Sequence, residues 1–152
     1  MYLTQDYEDI IELFNKHNVR FLIAGAYAMS KVGYSRSTYD IDLWIEKTEE
    51  NAINIFNALT EFGVPFMIEP DDFLEPNSVL QIGIDPNRID ILTDIDGLTF
   101  DDAWSNKQIA EFDNLKAFTL EINDIIKNKE ASNRPKDRLD LVQLKELAEK
   151  NK

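Results

Sequence analysis

Hydrophobic side chains recur every three or four residues in parts of the chain, which is the spacing of an amphipathic helix. Three such stripes are Tyr7, Ile10, Ile11 and Phe14; Ala52, Ile55, Phe56, Leu59 and Phe62; and Leu141, Leu144 and Ala148. Thr48 can cap the second helix and Gly63 ends it, while Pro135 suits the first position of the third. The pattern therefore predicts a helix over residues 5–17, a second between Thr48 and Gly63, and a final helix from Pro135 onward.

Shorter apolar or alternating runs predict strands between these helices. The predicted strands are residues 19–24, 38–46, 79–84 and 88–92, with weaker candidates at 107–112 and 115–118. Asp85, Pro86 and Asn87 form a turn signal between two of them, which predicts a hairpin. Short helices are predicted at 25–31 and 120–129, one helical turn at 100–104, and a polar loop at 71–77.

Helices and strands thus follow one another in mixed order, with at least one antiparallel pair of strands. This order favours an α/β or α+β fold, in which a mixed β-sheet is flanked by helices, over a doubly wound parallel sheet. At 152 residues, of which 43% are hydrophobic, the chain is long enough to bury a core. We therefore expect a single domain over residues 1–152.

Two carboxylates stand out in the second predicted strand. Asp40 and Asp42 are two residues apart, so they project from the same face, while Ile41 and Leu43 project from the other. Two like charges this close repel each other, and a bound Mg²⁺ or Mn²⁺, both of which prefer carboxylate oxygen, relieves the repulsion. The alternative is a solvated strand end.

A third carboxylate, Asp90, lies in an alternating strand whose apolar neighbours should face the core. If that strand pairs beside the one carrying Asp40 and Asp42, three acids converge and can form a two-metal centre. Asp90 could instead pair with Arg88 or Arg36. Asp94 and Asp96 follow closely, but beside Gly97 they read as turn residues.

The junction of the first strand and the next helix supplies backbone N–H groups and a positive helix end at Gly25 and Ala26, which suits a phosphate. Gly25-Ala26, thirteen intervening residues and Asp40-Ile41-Asp42-Leu43 resemble the signature of the polymerase-β-like nucleotidyltransferase superfamily. The similarity extends over roughly residues 20–142 and is greatest to small stand-alone bacterial members, including relatives of the abortive-infection (AbiEii-like) toxins. Three further motifs carry the similarity. The first is residues 33–44; the second is residues 88–93 together with Asp96, Gly97, Phe100 and Trp104; the third is Lys129 together with residues 134–137 and Asp140.

The resemblance implies a minimal catalytic core without a separate substrate domain, and a role for each matching residue. Asp40 and Asp42 match the metal-binding pair, and Asp90 matches the third carboxylate, which is the general base or its metal-assisted equivalent. Gly25 matches the glycine of the phosphate turn. Ala26 departs from the usual Gly or Ser, so a hydroxyl donor is lost.

Basic residues supply the expected phosphate contacts in this resemblance. They are Arg36, Lys129 and Lys136, the last near a helix N-terminus. Each has a structural alternative, since Arg36 can form a salt bridge and a lysine on a helix face is usually solvated. Arg134 and Asp137 are expected to serve the start of the final helix.

Charge and composition limit the classes of partner. With 16 Lys and Arg against 29 Asp and Glu, the net charge is −13, which disfavours an extended nucleic-acid surface. The chain has no cysteine, and no apolar run approaches a membrane span. We expect a cytoplasmic protein without a membrane partner. The only histidine, His17, reads as a helix-end residue.

The sequence therefore predicts a metal-dependent enzyme that moves a nucleoside monophosphate from an NTP, such as ATP, to a hydroxyl. The acceptor could be a protein, a tRNA end or a small molecule. Ala26 and the lack of a substrate domain motivate an alternative, a nucleotidyltransferase-fold binding protein with little or no turnover, such as one component of a toxin–antitoxin pair.

Overall fold

Six strands form one mixed sheet with helices on both faces in the computed structural model, which describes residues 2–151. The helices are α1 (Gln5–Lys16), α2 (Gly25–Lys31), α3 (Glu49–Phe62), α4 (Phe100–Asn106), α5 (Ile122–Ser132) and α6 (Pro135–Lys150). The strands are β1 (Phe21–Ala24), β2 (Asp40–Ile45), β3 (Val79–Ile82), β4 (Arg88–Leu92), β5 (Gln108–Phe112) and β6 (Leu115–Thr119). The predicted mixed sheet flanked by helices is confirmed.

The strand order across the sheet is β3-β4-β2-β1-β6-β5. β2 lies at the centre, antiparallel to β1 and parallel to β4. β3 and β4 form the predicted hairpin, and β5 pairs with β6 in a second antiparallel pair. Because β2 and β4 are adjacent and parallel, side chains at equivalent positions of these strands lie beside one another.

Strand alternation separates two hydrophobic cores. Ile41, Leu43 and Ile45 of β2 are buried in the core beneath α1 and α3. Trp44, on the opposite face of the same strand, is buried in a second core together with residues of α2, α4, α5 and α6. Asp40 and Asp42 share the face of Trp44, but they lie nearer the start of the strand, where this core gives way to a cleft.

Side-chain caps begin α1 and α3, and the cap of α3 is the one that the sequence predicts. Thr4 accepts a hydrogen bond from the backbone N–H of Tyr7, and Thr48 accepts one from Asn51. Gly63 ends α3 in the left-handed conformation. Pro135 occupies the first turn of α6.

The main differences from the sequence prediction are local. Several strands are shorter than predicted, and α4 and α5 extend past their predicted ends. Residues Pro70–Phe73, mostly predicted as loop, form a 3-10 helix. Pro70 fixes the first φ angle and the carboxylate of Asp72 accepts the Glu69 N–H, so a polar segment still closes one turn.

No helix within residues 2–151 combines the length and the apolar character needed to cross a membrane.

Candidate active site

The register of β2 and β4 brings three carboxylates together. Asp42 is paired with Asp90 across the two parallel strands. Asp40, two residues before Asp42, projects from the same face. Asp40, Asp42 and Asp90 each offer an oxygen atom, and these atoms all lie within 4.8 Å of one another. A divalent cation with oxygen ligands fits this donor set, because three hard carboxylate oxygens converge on one volume.

Burial and repulsion from neighbouring carboxylates disfavour the charged forms of Asp42 and Asp90. Burial, with repulsion from Asp40 and Asp90, raises the pKa of Asp42 to about 7. Burial likewise raises the pKa of Asp90, although a hydrogen bond from Arg88 opposes the shift. The carboxylate of Asp42 has no hydrogen bond or ion pair within residues 2–151. A cation bound among these oxygens would keep the acids ionised.

Arg88 is the cation that already contacts this group. It stands beside Asp40 in the β2–β4 pairing, and its Nη2 lies 2.8 Å from Oδ2 of Asp40. Its Nε and Nη2 donate to the two oxygens of Asp90 at 2.8 and 3.1 Å, while Nη1 lies 2.8 Å from Oδ1 of Asp85. One guanidinium therefore spans three carboxylates but leaves Asp42 without a direct partner.

Gly25 is required where β1 turns into α2. Its φ angle is +65°, and a Cβ atom at this position would overlap the carboxylate of Asp42. Ala24, the last residue of β1, is paired with Asp42 across the sheet. The glycine thus allows the chain to turn directly against the carboxylates. Ala26, the next residue, is buried.

All eight predicted site residues line one cleft of about 690 Å³. The carboxylate wall consists of Asp40, Asp42 and Asp90. Gly25 and Ala26 lie at the β1–α2 junction, and the cationic wall consists of Arg36, Lys129, Arg134 and Lys136. The positive charge of Lys136 acts on Asp42 and, with Arg88, opposes the rise in its pKa. The cleft therefore presents carboxylates and basic side chains together. A metal–phosphate complex needs both, since carboxylates bind a metal ion and basic side chains bind phosphate.

Part of the cationic wall is held by a buried ionic network between α5 and α6. Lys129 is only 5% exposed, and its Nζ lies 3.1 Å from Oδ1 of Asp137 and 3.2 Å from Oδ2 of Asp140. Asp140 also accepts a hydrogen bond from the Tyr34 hydroxyl at 2.9 Å and lies 3.5 Å from Nη2 of Arg36. Lys129 and Arg36 therefore line the cleft and are also held in place by ion pairs with buried carboxylates.

Asp137 serves the start of α6, as predicted. Its carboxylate accepts the Arg134 backbone N–H at 3.2 Å and the Ser132 hydroxyl at 2.6 Å. Burial opposes ionisation, yet hydrogen bonds from Ser132, Arg134 and Lys129 outweigh it and hold the pKa of Asp137 well below its usual range. Asp94 also has a structural role, because it accepts the Asn77 N–H at 2.7 Å beside Lys47.

Sequence reasoning named Arg88 only as an alternative partner of Asp90, and the structure shows this pairing. It missed the contact of Arg88 with Asp40 and the anchoring role of Asp140. A signal existed for Arg88, since it precedes Asp90 by two residues and therefore shares its face. No comparable signal exists for Asp140, because its contacts with Tyr34 and Arg36 join parts of the chain about a hundred residues apart. Thr38 belongs to the motif at residues 33–44, and the structure shows that its hydroxyl donates to Oδ1 of Asp40 at 2.9 Å.

No protein-family model matches the chain, and no curated protein matches it. The fold is similar to that of a candidate nucleotidyltransferase from Thermotoga maritima, with a TM-score of 0.56 against its crystal structure. The two sequences are 20% identical, and the match covers 93% of this chain and 86% of the other. At this identity the likeness establishes a nucleotidyltransferase-like fold, and the resemblance to AbiEii-like proteins stays a prediction.

Proposed function

We propose that this protein is a divalent-metal-dependent nucleotidyltransferase that moves a nucleoside monophosphate from an NTP to a hydroxyl group. The observation that carries the proposal is the position of three converging carboxylates in the same cleft as the four basic side chains of the cationic wall. A metal-bound triphosphate has this pair of requirements, because its cation needs carboxylate oxygens and its phosphates need positive charge. The nucleotidyltransferase-like fold supports the same conclusion.

Each wall of the cleft has a role in this proposal. Asp40, Asp42 and Asp90 would hold Mg²⁺ or Mn²⁺, which when bound neutralises phosphate charge and activates the attacking hydroxyl. The N–H groups of Gly25 and Ala26, which line the same cleft, would bind the triphosphate. Lys136 and Arg36 would contact phosphate oxygens from the other wall, and Lys129 would supply positive charge from its buried position.

The reaction is a displacement at the α-phosphorus. The acceptor oxygen forms a bond to this phosphorus, and the bond from the α-phosphorus to the bridging oxygen breaks, so that pyrophosphate leaves with the bonding electron pair. The proton of the acceptor hydroxyl passes to the carboxylate of Asp90. A bound cation would keep Asp90 ionised, and an ionised carboxylate beside the acceptor can take up its proton.

The acceptor hydroxyl belongs to a protein side chain, a tRNA end or a small molecule. The net charge of −13 argues against a long nucleic acid, because an extended surface must neutralise many phosphates. A tRNA end requires only a local basic patch, and the cationic wall is such a patch.

The second candidate is a nucleotidyltransferase-fold binding protein with little or no turnover, for example one component of a toxin–antitoxin pair. Ala26 favours it, since a buried methyl group replaces a hydroxyl donor at the phosphate turn. Calorimetry separates the candidates: equal binding of the partner when Asp40 and Asp42 are both replaced by Asn supports the second one.

Label transfer tests the first candidate. The protein is incubated with each α-³²P-labelled NTP, Mg²⁺ or Mn²⁺, and cell lysate, and labelled products are counted. Asp42→Asn should reduce transfer at least about a hundredfold, since an oriented charge interaction in a reaction centre contributes several kcal/mol. Asp113→Asn is the matched control, because Asp113 is exposed in the β5–β6 turn with φ +58°, which Asn tolerates.

Two results would count against this candidate. One is the absence of transfer with any NTP and either metal. The other is equal transfer by the wild type and Asp42→Asn.

A further inference from the structure

Arg88 contacts two of the three carboxylates that form the proposed metal site. Its Nη2 lies 2.8 Å from Oδ2 of Asp40, and Nε and Nη2 together contact both oxygens of Asp90. Magnesium binds oxygen at about 2.0–2.1 Å. A cation at that distance from these oxygens would lie against the positively charged guanidinium, so the two cannot hold the same positions without strong repulsion.

Arg88 also has a second contact that lies outside the three converging carboxylates. Asp85, in the turn between β3 and β4, lies 2.8 Å from Nη1 and has a side chain that is 54% exposed. Asp85 lines the cleft but is not one of the three converging carboxylates. An arginine has enough rotatable bonds to keep the Asp85 contact while it releases Asp40 and Asp90.

We propose that Arg88 is a positioning residue that competes with the divalent cation for Asp40 and Asp90 and withdraws toward Asp85 when the cation binds. The proposal rests on the proposed function, since it concerns the same metal site. Arg88 stabilises the crowded carboxylates before the metal arrives, and it sets the metal concentration at which the site fills.

Calorimetric titration with MnCl₂ alone tests the competition without any turnover. Arg88→Met keeps much of the aliphatic stem and removes the charged group, so Mn²⁺ should bind at least about tenfold more tightly, equivalent to about 1.4 kcal/mol. Arg138→Met is the matched control, because Arg138 is exposed on α6 and lies outside the cleft. Its affinity for Mn²⁺ should equal that of the wild type.

Two further variants separate competition from simple charge repulsion. Arg88→Lys keeps the charge but lacks the planar fork that spans the carboxylates, so it should also tighten Mn²⁺ binding. Asp85→Asn should weaken Mn²⁺ binding when it is introduced into the wild type. It should leave the Mn²⁺ affinity unchanged when it is added to Arg88→Met, because Asp85 acts through Arg88. An unchanged affinity in Arg88→Lys would overturn the competition.

A measurement on the unmodified protein covers the case in which Arg88→Met does not fold. The Nε–H proton of Arg88, which donates to Asp90, should exchange slowly with water and lose that protection when Mg²⁺ is added. Retained protection at saturating Mg²⁺ would overturn the proposal.

The outcomes distinguish this inference from the proposed function. Weaker or unchanged Mn²⁺ binding by Arg88→Met, with normal binding by the wild type, would overturn the role of Arg88 alone. Absence of Mn²⁺ binding in both proteins would overturn the metal site and this inference together.

Discussion

Two clusters of buried charge border the cleft, and they balance their charges in opposite ways. Between α5 and α6, Asp137 and Asp140 contact Lys129, and the pKa of Asp137 lies far below its usual range. On β2 and β4, the pKa values of Asp42 and Asp90 are raised. The same residue type is thus stabilised as an anion in one cluster and disfavoured as an anion in the other.

The difference agrees with a structural role for the first cluster and with the proposed metal-binding role for the second. In the first cluster each buried acid has a basic partner, so the network fixes α5 against α6. In the second, one arginine serves three acids, and Asp42 has no direct partner within residues 2–151. Perturbed carboxylates with unmet charge in a cleft are typical of a binding or catalytic centre. The comparison therefore predicts that the clusters respond differently to mutation, pH and metal.

The largest expected effect is on folding, in the structural cluster. Asp137→Asn should lower the free energy of unfolding by about 3–5 kcal/mol, because it leaves the buried Lys129 with one partner fewer and weakens the start of α6. Urea denaturation measures the change. Asp42→Asn, a substitution of the same chemistry, should leave the stability unchanged or higher in the presence of EDTA. Equal losses in both variants would remove the distinction between the clusters.

The second effect is a pH dependence of opposite sign in the two clusters. Asp42 has a folded-state pKa of about 7 against an unfolded value near 3.9, so the folded state holds its proton longer. Its contribution to stability therefore falls as the pH rises from about 4 to 7. Asp137 has a depressed pKa, so its contribution is present above the unfolded value and is lost as the pH falls below it.

Urea denaturation in EDTA at pH 5 and pH 8 checks the Asp42 part of this prediction. The wild type should lose about 2–4 kcal/mol relative to Asp42→Asn over this interval. Saturating Mg²⁺ should abolish the loss, because a bound cation favours the ionised carboxylates. A constant difference between the two proteins from pH 5 to pH 8 would contradict the raised pKa.

A smaller effect is expected at the turn beside the carboxylates. Gly25→Ala should reduce stability by more than the roughly 1–2 kcal/mol that a left-handed non-glycine residue costs, because its Cβ also overlaps Asp42. Gly63→Ala is the matched control, since Gly63 has φ +89° but no atom within 4 Å of the position that a Cβ would occupy. Only Gly25→Ala should also weaken Mn²⁺ binding in calorimetry. Identical behaviour of the two variants would show that the turn does not support the site.

The smallest expected effect concerns Ala26. Ala26→Ser restores a hydroxyl donor at the phosphate turn and should tighten binding of Mg²⁺–ATP by a few fold, in keeping with a net gain of about 1 kcal/mol for one hydrogen bond. Fluorescence titration with a labelled ATP analogue measures it. Weaker binding by Ala26→Ser would place the triphosphate elsewhere in the cleft.

The sequence predicted the placement of the three carboxylates well where that placement follows strand alternation. Asp40 and Asp42 share a face because they are two residues apart, and the alternation of Ile89, Asp90 and Ile91 orients the third acid in the same way. The convergence itself depended on the pairing of β2 with β4, which the sequence left conditional. The local periodicity thus determined which face each carboxylate takes, and the fold decided its neighbours.

Local sequence patterns could not predict the contacts between distant segments of the chain. Lys129 looks like an ordinary lysine on a helix face, and only the packing of α5 against α6 shows that it is buried with Asp137 and Asp140. The helical spacing of α6 predicted a buried Leu144 but not two buried acids on the same helix. A buried charge is stable only with its partner, so one sequence segment alone cannot predict it.

Calorimetric titration with a non-hydrolysable ATP analogue, in Mg²⁺ and in EDTA, tests the central claim most directly. The claim is that the carboxylate wall and the cationic wall together bind a metal–triphosphate complex. The wild type and Asp113→Asn should bind the analogue in Mg²⁺ but at least about tenfold more weakly in EDTA, and Asp42→Asn should bind weakly in both. Equal binding by the wild type and Asp42→Asn in Mg²⁺, or no binding by the wild type, would contradict the claim.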